Sequence, residues 1–175
     1  MTEDQATVYT IGHSNHDFDT FTQLIKGVDV VVDLRSNPYS KYVPHFNKRD
    51  LKRGLEAIGI DYVFIKEKGV GNILGGRPND EECYRSNKIS YEVVKGKEWY
   101  KRGILGLIDI SKEKRTVIMC SEEDPYRCHR HNLITESLLE RGFTVVHIRR
   151  DGRKEKVEKQ EKKITILQTD IGQFV

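Results

Sequence analysis

Thr116 to Ile148 reads TVIMC-SEEDPYRCHR-HNLITESLLERG-FTVVHI, and its reading decides the fold. Thr116 to Met119 is β-branched and apolar, enough for one buried strand, and Cys120 stands where that strand ends. A polar turn follows over Ser121 to Tyr126, with Asp124-Pro125 as its breaker. The pattern then predicts a helix from about Cys128 to Gly142, a glycine suited to left-handed backbone just past a helix end. Phe143 to Ile148 is a second buried-type strand. Strand, loop, helix and strand in about thirty residues make a βαβ unit. Such a unit puts Cys120 at the carboxyl end of a parallel sheet, beside a helix start, where open α/β sheets place their ligand crevices.

The rest of the chain repeats the alternation. Thr7 to Ile11 predicts a first strand, and a helix follows with Asp17 or Asp19 near its cap and Phe18, Phe21, Leu24 and Ile25 on one face. Val28 to Leu34 is almost wholly apolar, as a strand buried on both faces should be. Asn47 caps a second helix with Leu51, Leu55 and Ile58 on its stripe, and Asp61 to Ile65 predicts a third strand. A glycine-rich loop, Gly69 to Arg77, comes next. Pro78 to Lys114 reads as one or two helices with Trp99, Tyr100, Ile104, Leu107 and Ile108 inward, and Cys83 in this segment has no assigned role. Past Asp151-Gly152 the charge run RKEKVEKQEKK predicts a short helix or an extended arm, and Ile164 to Leu167 an edge strand. The expectation is one α/β domain over residues 1–175: a three-layer, Rossmann-like sandwich with a mainly parallel sheet of about five strands and a charged extension over residues 151–175.

Composition narrows the class. Apolar residues are 37% and charged residues 33% of the 175, which suits a globular protein with a heavily charged surface. A net charge of +3 permits phosphate or nucleic-acid partners without arguing for them. No apolar run is long enough to span a bilayer, so no membrane partner is expected. The acidic start MTEDQAT is unlike a signal peptide, and three cysteines are an odd number, so free thiols in a reducing cytoplasm are expected.

The strand ends carry the chemistry. Strand one delivers His13 and Ser14, strand two Asp33 and Arg35, strand three leads to Gly75, Gly76 and Arg77, and strand four delivers Cys120 and Glu122. All are expected on one sheet edge. Cys120 reads either as a small buried residue or as a thiolate nucleophile or metal ligand; a helix start and nearby Arg127 and Arg130 favour the thiolate, while Glu122, Glu123 and Asp124 oppose it. Cys128 either shares that role or packs inward. His129 is a candidate general acid or base and Arg130 a candidate anion clamp, unless both are surface residues. Asp33 and Arg35 are expected to face opposite ways, Asp33 toward Arg130 or Arg77 and Arg35 toward an anionic ligand. A disulfide between Cys120 and Cys128 requires Cα atoms within about 7 Å. Zinc is a secondary alternative, because C-x7-C-H-x-H departs from the two close pairs of structural sites and adjacent Cys and His rarely share an ion. His147, inside a strand, reads as a satisfied core histidine. The basic and aromatic stretch Tyr39 to Arg53 is a candidate nucleotide or nucleic-acid contact set against a plain solvated face.

T-I-G-H-S (Thr10 to Ser14), D-L-R-x-x-P-x-S (Asp33 to Ser40), L-G-G (Leu74 to Gly76), C-x-E…C-H-R (Cys120 to Arg130) and the closing His147-Ile148 resemble the family called domain of unknown function 488, over about residues 7 to 150. The resemblance implies a bacterial or archaeal cytosolic α/β protein and no established reaction. It adds weight to His13, Ser14, Asp33, Arg35, Ser40, Gly75, Gly76, Cys120, Glu122, Cys128, His129 and Arg130 without assigning roles.

Together these readings predict an enzyme acting on a nucleotide or other phosphorylated or anionic substrate. Cys120, Glu122, His129, His13 and Asp33 are the expected catalytic groups. Ser14, Arg35, Ser40, Gly75, Gly76, Arg130 and Cys128 are the expected substrate-binding groups. A non-catalytic nucleic-acid or nucleotide binding module is the alternative, and zinc at Cys120 and Cys128 the second.

Overall fold

The computed structural model describes residues 6–160. Strands β1 (Thr7–Gly12), β2 (Val30–Asp33), β3 (Asp61–Val63), β4 (Thr116–Cys120), β5 (Thr144–Ile148) and β6 (Lys154–Lys156) form one sheet in the order β6-β5-β1-β4-β2-β3. The first five are mutually parallel and β6 pairs antiparallel with β5. The mainly parallel α/β sandwich expected from the sequence is therefore the fold, with a sixth strand at one edge. That strand comes from the charge run, which supplies neither a helix nor a free arm at Lys154–Lys156. Ile164 to Leu167 lies outside the described residues.

Both faces of the sheet are covered, and the period of two along each strand decides which side chain goes where. Ile11, Val31, Val117 and Met119 face α1 (Phe18–Leu24) and α2 (Lys48–Ala57), meeting Phe21, Ile25, Leu51 and Leu55. Val8, Val30, Val32, Ile118 and Val145 face the opposite layer. That layer contains α3 (Tyr91–Gly96), α4 (Glu98–Glu113), with Ile104 and Leu107, and the helix after Cys128, with Leu133 and Leu138. Each fully buried aliphatic side chain contributes roughly 1.5–3 kcal/mol relative to exposure. Ile58, expected on the α2 stripe, falls at the helix C-cap and is 53% exposed.

The helix after Cys128 departs from the expected regular α-helix. Arg130–Thr135 is a π-helix that passes into α5 (Glu136–Glu140), and Gly142 ends the run at φ 83°. The segment between β3 and α3 holds two small antiparallel hairpins, Lys66–Glu67 with Gly71–Asn72 and Tyr84–Arg85 with Lys88–Ile89. Cys83 lies beside the second, fully buried in the core.

The topology places the site. β1 and β4 are neighbours, yet the chain leaves β1 toward the α1 layer and leaves β4 toward the α5 layer. Divergence of adjacent connections at a carboxyl edge is what opens a crevice in such sheets. Here the exits stay in register for two more residues, with His13 N–H donating to Cys120 O (2.9 Å) and Ser14 N–H to Ser121 O (3.0 Å). Gly12 allows this crossing, since a Cβ there would lie 1.8 Å from the Glu122 carbonyl oxygen.

Candidate thiol–imidazole site

The β4 exit brings three groups together. Cys120 Sγ lies 4.0 Å and Cys128 Sγ 3.7 Å from His129 Nδ1. The three ligand atoms all lie within 4.8 Å of one another, and all three residues are buried. Local backbone explains how neighbours in sequence aim at one point. Cys128 is extended (φ −124°, ψ 146°) and His129 is helical (φ −58°, ψ −21°), so their side chains do not diverge as they would along one strand.

The far side of the imidazole is pinned. His129 Nε2 lies 3.1 Å from both Leu34 O and Leu74 O. Carbonyls only accept, so Nε2 carries the proton and Nδ1 turns its lone pair toward the sulfurs. The L-G-G motif serves this packing: a Cβ on Gly76 would meet the His129 ring at 2.8 Å, and one on Gly75 would meet Ser36 Oγ at 2.6 Å. Asn72 holds the loop, donating to Asp33 O (2.8 Å) and Arg35 O (3.0 Å) and accepting from Leu74 N–H (2.9 Å).

The two thiols are coupled through a hydrogen bond between them. The Cys128 S–H, helped by the Ser121 backbone N–H, holds Cys120 below the usual thiol range against the opposing effect of burial. Cys128 is pushed up by its bond to Cys120 and by burial, although Arg130 N–H donates to its sulfur at 3.4 Å. The opposite shifts make Cys120 the more acidic thiol of the pair and Cys128 the less acidic. All three cysteines are free thiols.

Beside the sulfurs lies Arg130, which is 0% exposed. Its Nη2 donates to Glu123 O at 3.1 Å, while Nε and Nη1 find no partner among the described residues. Burial lowers its pKa, and the charge of both cysteines works the other way. Sequence alone left open a surface position for Arg130 and His129; both are buried.

Asp33 and Arg35 do not face opposite ways. Residues two apart on extended backbone share a face, and these two pair directly. Asp33 Oδ1 accepts from Arg35 N (3.0 Å) and Nε (2.9 Å), and Oδ2 accepts from Nη2 (2.7 Å) and from the Tyr62 hydroxyl (2.5 Å). Asp33 thus pairs with neither Arg130 nor Arg77, and Arg35 keeps only Nη1, directed at His13 Nε2 (3.3 Å). His13 donates from Nδ1 to Ser14 O (2.8 Å), stacks on Phe46 at 4.4 Å between centroids, and is lowered by burial to about 4. His13, Asp33 and Cys120 therefore share one edge, as expected of strand ends in a parallel sheet.

The remaining expected residues divide. Ser14, at φ 46°, accepts from Arg150 Nη1 at 3.1 Å. Ser40 is spent on a turn, its hydroxyl accepting from Tyr42 N–H and Val43 N–H and its own N–H donating to Asn47. Glu122 is exposed, and the engaged acid of this loop is Glu123, paired with Arg149 at 3.1 Å and capping Arg150 N–H at 3.1 Å. Tyr62, Asn72 and Arg149 carried no signal in the sequence, because their partners lie far along the chain, and Glu123 figured there only as a charge opposing the Cys120 thiolate. His147 is a satisfied core histidine, bonded to Thr10 Oγ1 (2.6 Å) and His131 Nδ1 (2.9 Å). Two surface hollows share Lys26, Gly27 and Val28 in their lining, and neither is lined by a thiol. No helix among the described residues is long and apolar enough to cross a membrane.

No curated protein and no solved structure matches the chain. A family model does, over residues 20–137, a narrower span than the motifs suggested but one that holds Asp33 to Ser40, Leu74 to Gly76 and Cys120 to Arg130. This covers more than half of the sequence, so the chain belongs to the family described as Domain of unknown function DUF488.

Proposed function

We propose that this protein is a cysteine-dependent transferase or hydrolase, working in a reducing cytoplasm on a nucleotide or another phosphorylated or anionic substrate. One observation carries the reading: His129 Nδ1, its tautomer set by two backbone carbonyls, faces a pair of buried sulfurs beside a guanidinium whose Nε and Nη1 have no partner among the described residues. A thiolate next to a base and a fixed positive charge is the arrangement nucleophilic catalysis needs. Cys120 Sγ attacks the electrophilic phosphorus or acyl carbon, and a bond from sulfur forms as the bond to the leaving oxygen breaks. The leaving oxygen takes the proton held by Cys128, which His129 Nδ1 relays. Water then attacks the sulfur-bound group, the bond to Cys120 Sγ breaks to give back the thiolate, and the proton water gives up passes through Nδ1 to Cys128, restoring its thiol. Arg130 offsets the negative charge. Arg35, already neutralised by Asp33, acts as a positioning residue for His13 and not as the anion clamp.

A second reading, a nucleotide or nucleic-acid binding module, is favoured by Tyr39 and Tyr42, which are 67% and 82% exposed, with Lys41 Nζ 5.0 Å from the Tyr42 ring centre. One experiment separates the two. Wild type and Cys120→Ser are compared for haloacetamide reactivity and for turnover and binding over a panel of phosphorylated metabolites and single-stranded oligonucleotides. The enzyme reading expects fast modification of Cys120 in wild type and turnover lost at least 100-fold in the variant. Unchanged turnover overturns it. Binding that ignores the substitution and weakens steeply with salt selects the module.

A further inference from the structure

We infer that Cys120 Sγ, Cys128 Sγ and His129 Nδ1 form a binding site for one zinc-class divalent ion. The inference rests on the proposed reading only in taking these residues as the centre of the molecule's chemistry; it goes beyond that reading by assigning the thiolate a partner.

The distances carry it. Zinc bonds sulfur at about 2.3 Å and imidazole nitrogen at about 2.0–2.1 Å, so tetrahedral angles put sulfur about 3.6 Å from nitrogen and about 3.8 Å from the second sulfur. The observed sulfur–nitrogen separations are 4.0 and 3.7 Å, and no pair of the three atoms exceeds 4.8 Å. The ligands need shifts of only a few tenths of an ångström at nitrogen. The surrounding groups are those that tune a metal ligand. A ligating histidine commonly donates its other N–H to a carbonyl, and His129 Nε2 faces two. Arg130 N–H already donates to Cys128 Sγ. The objection that adjacent Cys and His rarely share an ion fails here, because the backbone changes from extended to helical between them.

The donor set names the ion class. Two thiolates and one imidazole are soft to borderline ligands that suit zinc and disfavour magnesium or calcium. Three protein ligands leave a fourth position open, the pattern of catalytic and not structural zinc. Cys128 releases its proton to solvent as the ion binds, and the ion with two thiolates is then neutral. The buried Arg130 charge, with Nε and Nη1 unpartnered among the described residues, favours an anion, hydroxide or substrate oxygen, as the fourth ligand. While the ion is in place, Cys120 is a ligand and is masked as a free nucleophile, so the thiol-reactivity and turnover comparison that tests the enzyme reading is made on chelator-treated protein.

The test uses the full chain. Elemental analysis of protein purified from zinc-supplemented cells is expected to give one zinc per chain. Apo protein titrated with cobalt(II) is expected to show the intense visible bands of a tetrahedral site and thiolate charge transfer in the near ultraviolet. Cys83→Ser is expected to retain both signals, and His129→Ala to lose them or weaken ion binding at least 10-fold. Wild type that contains no stoichiometric zinc and gives only the pale spectrum of octahedral cobalt overturns the inference, whatever the variants do. The two proposals fail separately. A metal-free protein whose Cys120 is still modified fast leaves the enzyme reading intact. A zinc protein whose stripped form shows no fast modification keeps the ion and removes the nucleophile.

Discussion

Arg130 is the residue whose state is most unusual. Its guanidinium is wholly buried, with Nε and Nη1 lacking partners among the described residues. A buried charge of this kind opposes folding unless its partners are excellent, and apolar replacements of similar volume are often neutral or stabilising. Arg130→Met is therefore expected to be as stable as wild type or more stable by about 1–3 kcal/mol, read from the urea midpoint. The variant's Cys120 is expected to react with haloacetamide more slowly, because the sulfur loses its nearby positive charge and takes up a proton. A loss of stability beyond about 2 kcal/mol would mean that the guanidinium makes a structural contribution larger than its single bond to Glu123 O suggests. Asp33 is the contrasting case. Its four hydrogen bonds leave neither oxygen free, so it shapes the edge and has no vacancy for substrate.

At the scale of elements, the π-helix Arg130–Thr135 connects the site to the fold. Single π turns within helices are frequent at functional positions, where they shift side chains relative to the regular helix. A side chain bonds the backbone of this segment: Thr135 Oγ1 donates to Arg130 O at 2.7 Å in the buried interior. Thr135→Val keeps the shape and removes the donor, so a loss of about 1–2 kcal/mol is expected in chemical denaturation. No loss would show that the carbonyl finds another donor and that the hydroxyl is dispensable. The same helix is tied to α4 by Tyr100, whose hydroxyl bonds Ser137 Oγ at 2.8 Å. Helix packing thus bears directly on where Cys128 and His129 sit.

Over the whole molecule, two buried histidines on neighbouring parts of the sheet set an acid limit. Burial lowers His13 to about 4 and His147 to about 3, both from 6.5. In the unfolded chain both take up protons near pH 6.5, while the native state refuses them until much lower pH. The unfolded state then binds more protons, so stability falls as pH falls. Their contribution is intact above pH 6.5 and declines through the window from 6.5 to about 4 for His13 and to about 3 for His147. The full loss is roughly 3–5 kcal/mol for each. The urea midpoint is expected to drop steadily from pH 7 to pH 4.5, and His147→Gln to flatten the slope. A midpoint constant over that range would mean that the rings are charged in the native state.

The linear chain by itself determined the alternation of strands and helices, the parallel sheet and the edge on which the reactive groups gather. Those features follow from local periodicity: Val30 to Val32 is apolar on both faces, and Phe21, Leu51 and Leu55 recur at helical spacing. The same reasoning held for the left-handed Gly142 and for His147 as a core residue. Tertiary structure alone decided the rest. It set Asp33 against Arg35, buried Arg130, turned the charge run at Lys154–Lys156 into an edge strand, and chose Glu123 over Glu122 as the engaged acid. It also assembled the imidazole with its carbonyls, 55 and 95 residues away in sequence. Hydrophobic patterning records which side of an element is buried. Polar pairing depends on side-chain reach and direction across packed layers, and no short-range pattern encodes either.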